Sequence, residues 1–402
     1  MDELVILNKI LNFGEGWEVK DVKIDKKFKV IDIYIEYTEK TCFYSETESD
    51  CVVYDSTKFR RIRHLDMFDY TTYLNFRTPR AKLSSGKVRA IPLIFTDKMV
   101  SFSYDFERKT ILTLDLSVNQ SKTAKYLKVS FEVVHNIMER AVKRGLLRRK
   151  LDDVKIFSLD EKSISNGHNY ITIMSDPIDQ RVLDIIEGRK IDDTQELIQN
   201  TLTLSQQMNI TEVTMDMWKP YMTCVSEMLP QADIVHDKFH ISKYLNKGVD
   251  NVRKSEVKKN EELKNTKYIF LKNNENWTEN QHVKFNEINE INLKTADAWR
   301  LKENFKAIYN YWNPKHCIYF FENWYRNVLE SDIKQMIEVA DTLLRHLKGI
   351  INAAVTTLSN GIAENINSKI QIVKSVGRGF KSIKGYRNAL LFFNGKLDLL
   401  PE

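Results

Sequence analysis

The stretch VTMDMWKPYMTCVSEMLPQADIVHDKFH, from Val213 to His240, holds two short apolar segments on either side of a predicted helix. Each apolar segment ends on a carboxylate, the first on Asp216 and the second on Asp237. An acid at the tip of a buried strand is costly unless it reaches water, a hydrogen-bonding partner or a metal ion. Aspartate is also a common first residue of a helix, so both acids could simply cap the helix that follows. The stretch alone leaves both interpretations open.

The overall composition is that of a globular protein with several domains. The chain has 402 residues, of which 42% are hydrophobic and 29% are charged; a chain of this length is expected to form about two to four domains. Only 13 Gly and 7 Pro residues are present, which favours long regular elements and many helices. The formal net charge of +6 is modest for this length, so only the distribution of basic residues could indicate a nucleic acid partner.

The sequence favours a cytoplasmic protein without membrane segments, disulfides or structural zinc. It contains no run of about 18 apolar residues, and the start MDELVILNKI lacks the basic segment of a signal peptide. The cysteines are too few and too scattered for a disulfide framework or for the four-ligand cluster of a zinc ribbon. They are Cys42, Cys51, Cys224 and Cys317.

Residues 1–100 are predicted to form a β-rich N-terminal domain. The segment KFKVIDIYIEY alternates polar and apolar residues with the period of a strand. The segment RRIRHLDMFDYTTYLNFRTPR interleaves arginines with aromatic residues. Such interleaving is compatible with contact to a phosphate backbone and equally with a half-buried sheet that has one solvated face.

Residues 101–150 are predicted to hold a helix-turn-helix DNA-binding domain. A short helix presents Ala124 and Leu127 on one face, a turn follows, and Ser130 is placed to cap a second helix. The inward face of the second helix is predicted to comprise Phe131, Val134, Ile137, Met138 and Ala141. The second helix of such a pair can lie in a major groove, although an ordinary basic helical hairpin has the same pattern. The expected outward-facing, DNA-binding residues are Lys122, His135, Asn136, Arg140, Lys143 and Arg144.

The pattern over residues 151–245 predicts a mixed α/β fold. Three strands in a meander are followed by helix, strand, helix and strand, which is the strand order of a ribonuclease-H-like core. Asp160 is predicted to end the first strand and Asp216 to end the fourth. These strands are neighbours in such a sheet, so the two carboxylates are expected to converge.

The remaining chain is predicted to be helical. Residues 246–357 show only helical periodicity and are interpreted as an insertion into the core, in which Trp299, Trp312 and Trp324 pack helices together. Residues 358–402 are predicted to form the final helix of the core and a basic tail. Ile366, Ile370 and Val373 are predicted to form the inner stripe of that helix, and the other side carries Glu364, Asn367, Ser368 and Gln371. The basic residues expected to contact DNA here are Lys374, Arg378 and Lys381.

Three acids are candidates for a metal site. Phosphoryl transfer on DNA can use two Mg²⁺ ions about 4 Å apart, and Mg²⁺ prefers carboxylate oxygens. Asp160, Asp216 and Glu364 could supply them, and Mn²⁺ could replace Mg²⁺. Asp237 and His240 are expected to lie beside these ligands without binding metal.

Several long motifs, in order, resemble the ISL3 family of insertion-sequence transposases, enzymes of the Asp-Asp-Glu class. The most specific are DEKSISNGHNYITIMSD, the opening stretch continued to DNVRKSE, SNGIAENINSKIQIVK with GFKSIKGYRN, and the terminal FFNGKLDLLPE. The resemblance implies that Asp160, Asp216 and Glu364 are the catalytic acids. It also implies that the helix-turn-helix region binds the terminal inverted repeats of the element. The family's zinc ribbon is degenerate here, because only Cys42 and Cys51 remain of its ligands.

The leading hypothesis is therefore a DNA transposase that binds the terminal inverted repeats of its insertion sequence and catalyses Mg²⁺-dependent strand cleavage and strand transfer. Its partners would be double-stranded DNA, both element ends and target, and further copies of the same chain. One alternative is a non-catalytic DNA-binding protein or repressor derived from a transposase. A nuclease without strand transfer would share the metal site.

Overall fold

The computed structural model describes residues 3–47, 50–163, 170–290, 293–356, 360–377, 380 and 382–401, with the backbone alone at residues 3, 290 and 360–364. The chain divides into two compact units. The first comprises residues 1–149 and 397–402, and the second comprises residues 150–396. Both contain sheets and helices, so the chain is a mixed α/β protein. None of the described helices is long and apolar enough to cross a membrane.

The N-terminal part of the first unit consists of one helix and two four-stranded sheets. Its elements are α1 (Glu3–Leu11), β1 (Trp17–Asp25), β2 (Val30–Tyr37), β3 (Thr41–Cys42), β4 (Cys51–Ser56), β5 (Arg60–Arg63), β6 (Thr71–Phe76), β7 (Pro79–Lys82) and β8 (Val88–Ala90). The sheet orders are β1-β2-β6-β5 and β3-β4-β7-β8. Ile31, Ile33 and Ile35 alternate into the core of the first sheet, as the period-two pattern predicted.

Three helices complete the first unit: α2 (Tyr104–Ser117), α3 (Gln120–Tyr126) and α4 (Phe131–Arg148). Ser130 caps α4, because its hydroxyl accepts a hydrogen bond from the N–H of Val133. The predicted inward face of α4 is buried at Val134, Ile137, Met138 and Ala141. The prediction is wrong for Phe131, which is 45% exposed and stacks on His135 one turn later.

The second unit is built on a five-stranded sheet whose chain order matches the predicted meander, helix, strand, helix and strand. Its elements are β9 (Ile156–Ser163), β10 (Tyr170–Asp176), β11 (Arg181–Glu187), α5 (Ile191–Thr201), α6 (Leu204–Met208), β12 (Glu212–Met215), α7 (Lys219–Met228) and β13 (Asp233–His236). The sheet order is β11-β10-β9-β12-β13. Strands β9, β12 and β13 run parallel, whereas β10 runs antiparallel to β9 and β11. Side chains such as Phe157 and Val213 form a buried core with Leu197 of α5 and Tyr221 of α7.

A helical region follows β13, and no strand occurs among its described residues. Its helices are α8 (Lys238–Glu256), α9 (Lys267–Leu271), α10 (Glu279–Glu290), α11 (Lys294–Phe305), α12 (Pro314–Glu330), α13 (Lys334–Arg345) and α14 (Leu347–Val355), with short 3-10 helices between some of them. They enclose one hydrophobic core that includes Trp299 and Trp324, as predicted. The expectation is wrong for Trp312, which is 83% exposed because it lies in the connection before α12.

Two final helices, α15 (Asn360–Val376) and α16 (Ile383–Asn394), return to the sheet. The predicted inner stripe of α15 is buried at Ile366, Ile370 and Val373. A bidentate ion pair joins helix α16 to β11. The Arg387 guanidinium donates to both carboxylate oxygens of Asp184, at 2.6 and 2.7 Å.

Candidate active site

The register of three parallel strands brings Asp160 and Asp216 to neighbouring positions. Ser158 of β9 pairs with Thr214 of β12, and each acid lies two residues further along its own strand. Because side chains two residues apart in a strand share a face, both acids belong to the face of Ser158 and Thr214. Asp216 follows directly after β12, as predicted. Asp160 does not end β9, because that strand continues to Ser163 by pairing with β10.

Asp160 and Asp216 line one narrow cavity together with residues from three other elements. Asp237, His240 and Asn367 also line it, so the start of α8 and α15 both contribute, and the sheet adds the hydroxyl groups of Ser158, Ser175 and Thr214. A wider cavity of about 690 Å³ adjoins it and shares Asp160, Asp237, His240 and Asn367. The structure therefore brings together four of the residues that the sequence singled out, and adds Asn367.

Asp216 and Asp237 also hold the chain segments that follow them. The Asp216 carboxylate accepts a hydrogen bond from the N–H of Trp218 at 3.0 Å, and the Asp237 carboxylate accepts one from the N–H of Phe239 at 2.8 Å. The N–H of Asp237 in turn donates to the carbonyl of Met215. Asp237 is thus the N-cap of α8. Asp237 therefore both caps α8 and lines the cavity, whereas Asp216 lines the cavity and holds the turn before α7 without capping that helix.

Burial raises the pKa of both acids. Burial raises the pKa of the Asp160 carboxyl, against the opposing effects of Lys162, His240 and a hydrogen bond from Asn367. Burial also raises the pKa of the Asp216 carboxyl, and the negative charges of Glu161 and Asp160 add to that rise while His240 opposes it. A pair of desolvated carboxylates of this kind is stabilised by any cation that enters between them.

The donor atoms at this site suit a hard divalent cation. Carboxylate oxygens of Asp160 and Asp216 and the side-chain amide of Asn367 meet at one cavity, and oxygen is the donor that Mg²⁺ prefers. Among the side chains that the structure describes, no cluster of three His, Cys, Asp or Glu residues could hold a metal ion. Glu364 lies within α15, one turn before Asn367, but its side chain lies outside the described residues.

The sequence interpretation did not assign roles to Asn367 and Glu161. Helical spacing placed Asn367 on the same side of its helix as Glu364, and the structure adds that Asn367 lines the cavity of the two aspartates. Glu161 follows Asp160 and therefore belongs to the opposite face of β9, where its carboxylate accepts a 2.8 Å bond from Arg189. The sequence contains no local signal for that pair, because Arg189 lies 28 residues away.

The residues expected to contact DNA fall into four groups, of which Arg140 and Arg144 form the last. Lys122, Asn136 and Lys143 are exposed on α3 and α4, and His135 is half-buried beside Gln120. Lys374 donates a 2.6 Å hydrogen bond to the carbonyl of Ser163. Arg378 and Lys381 lie outside the described residues.

The expected outward position is wrong for Arg140 and Arg144. Both guanidinium groups turn toward Glu107 of α2, whose side chain is fully buried: Arg144 donates at 2.6 Å and Arg140 lies at 3.6 Å. Arg140 also pairs with Asp97. A buried carboxylate needs such partners, since an unpaired buried charge is strongly destabilising. These two arginines therefore stabilise the helical part of the first unit.

Comparison with known proteins identifies the family. A family model described as a transposase, that of the ISL3 group, matches residues 157–390. The transposase for insertion sequence element IS1001 of Bordetella parapertussis is 24% identical over 376 residues, covering 91% of this chain and 90% of the relative. The transposase for IS1557 of Mycobacterium tuberculosis is 22% identical over 374 residues, covering 85% of this chain and 83% of the relative.

A solved structure, the Drosophila P element transposase strand transfer complex, matches with a TM-score of 0.37 and 8% identity over 76% of this chain and 94% of that one. A TM-score this low does not establish a shared fold. The match to the family model, by contrast, spans more than half of the chain and includes every strand of the five-stranded sheet except the first residue of β9. The chain belongs to the ISL3 family of transposases.

Proposed function

We propose that this chain is a DNA transposase that binds the terminal inverted repeats of its own insertion sequence, cleaves the DNA there and joins the ends to target DNA. The observation that carries the proposal is the common cavity of Asp160 and Asp216 beside α15, the helix that contains Glu364. The strand order β11-β10-β9-β12-β13 also agrees with a ribonuclease-H-like core.

Asp160, Asp216 and Glu364 would hold Mg²⁺, or Mn²⁺ in its place. When bound, the metal ions polarise the phosphodiester and stabilise the charge on the attacking and leaving oxygens. The remaining work belongs to the protein. The N–H of Trp218 and the amide of Asn367 orient the two aspartates. Lys162 supplies positive charge beside Asp160, with its ammonium group 3.8 Å from the carboxylate. Asp237 fixes the start of α8, which carries His240.

DNA binding is proposed for the exposed polar face of α3 and α4. Their four-residue connection and the cap at Ser130 are compatible with a helix-turn-helix. Lys122, Asn136 and Lys143 would contact DNA, with His135 at the margin, and Lys374, Arg378 and Lys381 would contact it near the acids. Cutting and joining two ends also suggests a homo-oligomer.

The test is to incubate the protein with labelled duplexes carrying the ends of its insertion sequence and a target plasmid, in Mg²⁺. Strand joining would support the transposase, and cleavage without joining would favour a nuclease. Binding alone would favour a non-catalytic DNA-binding protein or repressor derived from a transposase.

The matched variant is Asp216→Asn, which removes a charged ligand while keeping the side-chain shape. We expect at least about 100-fold slower cleavage with end binding retained, since catalysis by this site depends on the carboxylate. Cleavage by Asp216→Asn at close to the wild-type rate would contradict the metal assignment.

A further inference from the structure

Besides the two cavities at the aspartates, a separate cavity of about 600 Å³ lies at the same edge of the five-stranded sheet. Its walls include Tyr170 at the start of β10, Arg189 just after β11 and Trp218 just after β12. This volume is within the range of roughly 300–1,000 Å³ that is usual for small-molecule sites. The cavity is not used by the metal chemistry proposed above, so it needs its own explanation.

The Arg189 guanidinium lies between two aromatic rings. Its central carbon is 3.9 Å from the ring centroid of Tyr170 and 4.7 Å from that of Trp218. Cations over aromatic faces are attracted to them, so the three side chains support one another. The Trp218 indole N–H also donates a hydrogen bond to the Arg189 carbonyl at 3.2 Å. Trp218 nevertheless remains 37% exposed. A large aromatic surface is therefore held in place at the cavity wall.

The loop that carries Arg189 is built for one conformation. Gly188 has a φ of +95°, and a Cβ atom there would lie 2.1 Å from the carboxylate of Asp193. That carboxylate accepts a hydrogen bond from the N–H of Lys190, and the N–H of Gly188 donates to the carbonyl of Tyr170. Only glycine fits this position without strain. The cavity wall is thus organised before any ligand arrives.

The charges at the cavity favour a neutral aromatic ligand over a phosphate. Arg189 is already paired with Glu161 at 2.8 Å, so its charge is largely compensated. A phosphate at Arg189 would have to share that guanidinium with the Glu161 carboxylate, which repels it. Because the Arg189 guanidinium lies over the Trp218 ring, a base would stack on the part of the ring that stays exposed, and such stacking accepts any base.

We infer that this cavity receives a nucleobase that has left the duplex beside the phosphate being cut, and that the base stacks on Trp218. The inference rests on the proposed function, because it places the reacting phosphate at Asp160 and Asp216. Trp218 lies two residues after Asp216, and its backbone N–H is bonded to the Asp216 carboxylate. A base on Trp218 would therefore belong to a nucleotide close to the cut. Enzymes that act on a DNA strand can offset the cost of unpairing with such stacking.

The experiment measures single-turnover cleavage of element-end duplexes in Mg²⁺ by the full-length protein. It compares Trp218→Phe, which keeps an aromatic face, with Trp218→Leu, which does not. Both variants lose the indole bond to Arg189, but only the leucine variant also loses the ring face that contacts Arg189, so the abasic duplexes are what separate base stacking from support of the wall. Trp312→Leu, at an exposed tryptophan of the helical region, serves as the control. Each protein is also given duplexes with a single abasic site at each of the three nucleotides on either side of the cut.

We expect Trp218→Leu to cut intact duplex about 10- to 100-fold more slowly than wild type, and Trp218→Phe to stay within about threefold. One abasic position should restore Trp218→Leu to within about threefold of wild type on the same DNA, because no base then has to be unpaired. The same abasic DNA should not rescue Asp216→Asn.

Equal rates for the Phe and Leu variants, or the absence of any rescuing abasic position, would overturn the base site while leaving the transposase proposal intact. Failure of the wild-type protein to cut any element-end duplex would overturn both.

Discussion

His64 is a buried histidine of the first unit, 5% exposed, and it connects β5 to the start of α2. The Ser103 hydroxyl hydrogen-bonds to its Nδ1 at 2.7 Å and accepts a bond from the N–H of Phe106, so it also caps α2. Burial lowers the pKa of His64 to about 4. The imidazole is therefore neutral in the folded protein at every pH above that value.

The consequence is acid sensitivity of the first unit. An unfolded histidine takes up a proton below about pH 6.5, while the folded one does so only near pH 4. The contribution of His64 to stability is thus fully present above pH 6.5 and is lost as the pH falls from 6.5 to 4, by up to about 3 kcal/mol.

We expect His64→Gln to be less stable at pH 7, because a buried hydrogen bond changes, yet to lose less stability between pH 6.5 and 4.5. Amide hydrogen exchange in α2 measures this, with the exposed His282→Gln as control. An unchanged pH slope in His64→Gln would contradict the assignment.

The convergence of Asp160 and Asp216 on one cavity could be predicted from the sequence, because each follows an apolar segment of strand length. The roles of Arg140 and Arg144 could not. Their helical spacing with Lys143 suggested one basic surface, but their orientation depends on Glu107, 37 residues before Arg144. Local periodicity gives a side chain's direction from the helix axis, not the charge that a neighbouring element buries against it.

Among the elements, α3 and α4 carry the prediction for DNA binding. Lys122→Ala and Lys143→Ala should each weaken binding to element-end DNA and reduce the slope of log affinity against log salt by about one per lost phosphate contact. Arg140→Gln should instead destabilise the first unit, because it removes a partner of Asp97 and Glu107. Binding titrations over a range of salt concentrations distinguish the two effects. Salt slopes equal to wild type for both lysine variants would mean that this face does not contact DNA.

The sheet β3-β4-β7-β8 carries the prediction for zinc. Cys42 and Cys51 face each other across β3 and β4 and are buried with Ala81 and Ile91. Structural zinc takes four ligands in tetrahedral geometry, and these two thiols supply only half of that set. We expect well under one zinc per chain when the protein is purified without added metal, and an unchanged circular dichroism spectrum after chelation. Stoichiometric zinc that survives dialysis would contradict this.

The elements themselves were largely predictable because their patterns are local. Period-two alternation located β2, and helical spacing located α4 and α15. The sequence did not reveal that β9 continues past Asp160, since that extension depends on pairing with β10. Long-range pairing is the part of a fold that local periodicity does not encode.

At the scale of the whole molecule, the C-terminal segment belongs to the first unit, since residues 397–402 group with residues 1–149 and not with the second unit that precedes them. The C-terminal segment supplies acceptors to two helices. Arg144 donates to the carbonyl of Leu399 at 2.6 Å, Arg148 to that of Leu400 at 2.8 Å, and Arg108 to that of Pro401 at 3.0 Å. Gly145 of α4 lets this segment approach closely, because a Cβ there would lie 2.6 Å from Leu397. The last residues of the chain thus form part of the unit that is proposed to bind DNA.

Truncation after Lys396 should therefore destabilise the first unit although it removes no residue of α2 or α4. Hydrogen bonds to charged groups contribute about 1.5–3 kcal/mol each, and three guanidinium groups would lose carbonyl acceptors, in part replaced by water. We expect a loss on the order of 3 kcal/mol, seen as faster amide exchange in α2 and α4, with α16 of the second unit as the internal reference. Asp398→Asn is the matched control, because its carboxylate is 66% exposed and its ion pair with Arg148 should contribute under about 1 kcal/mol. Equal exchange in the truncated and full-length proteins would show that the C-terminal segment only rests on these helices and does not stabilise them.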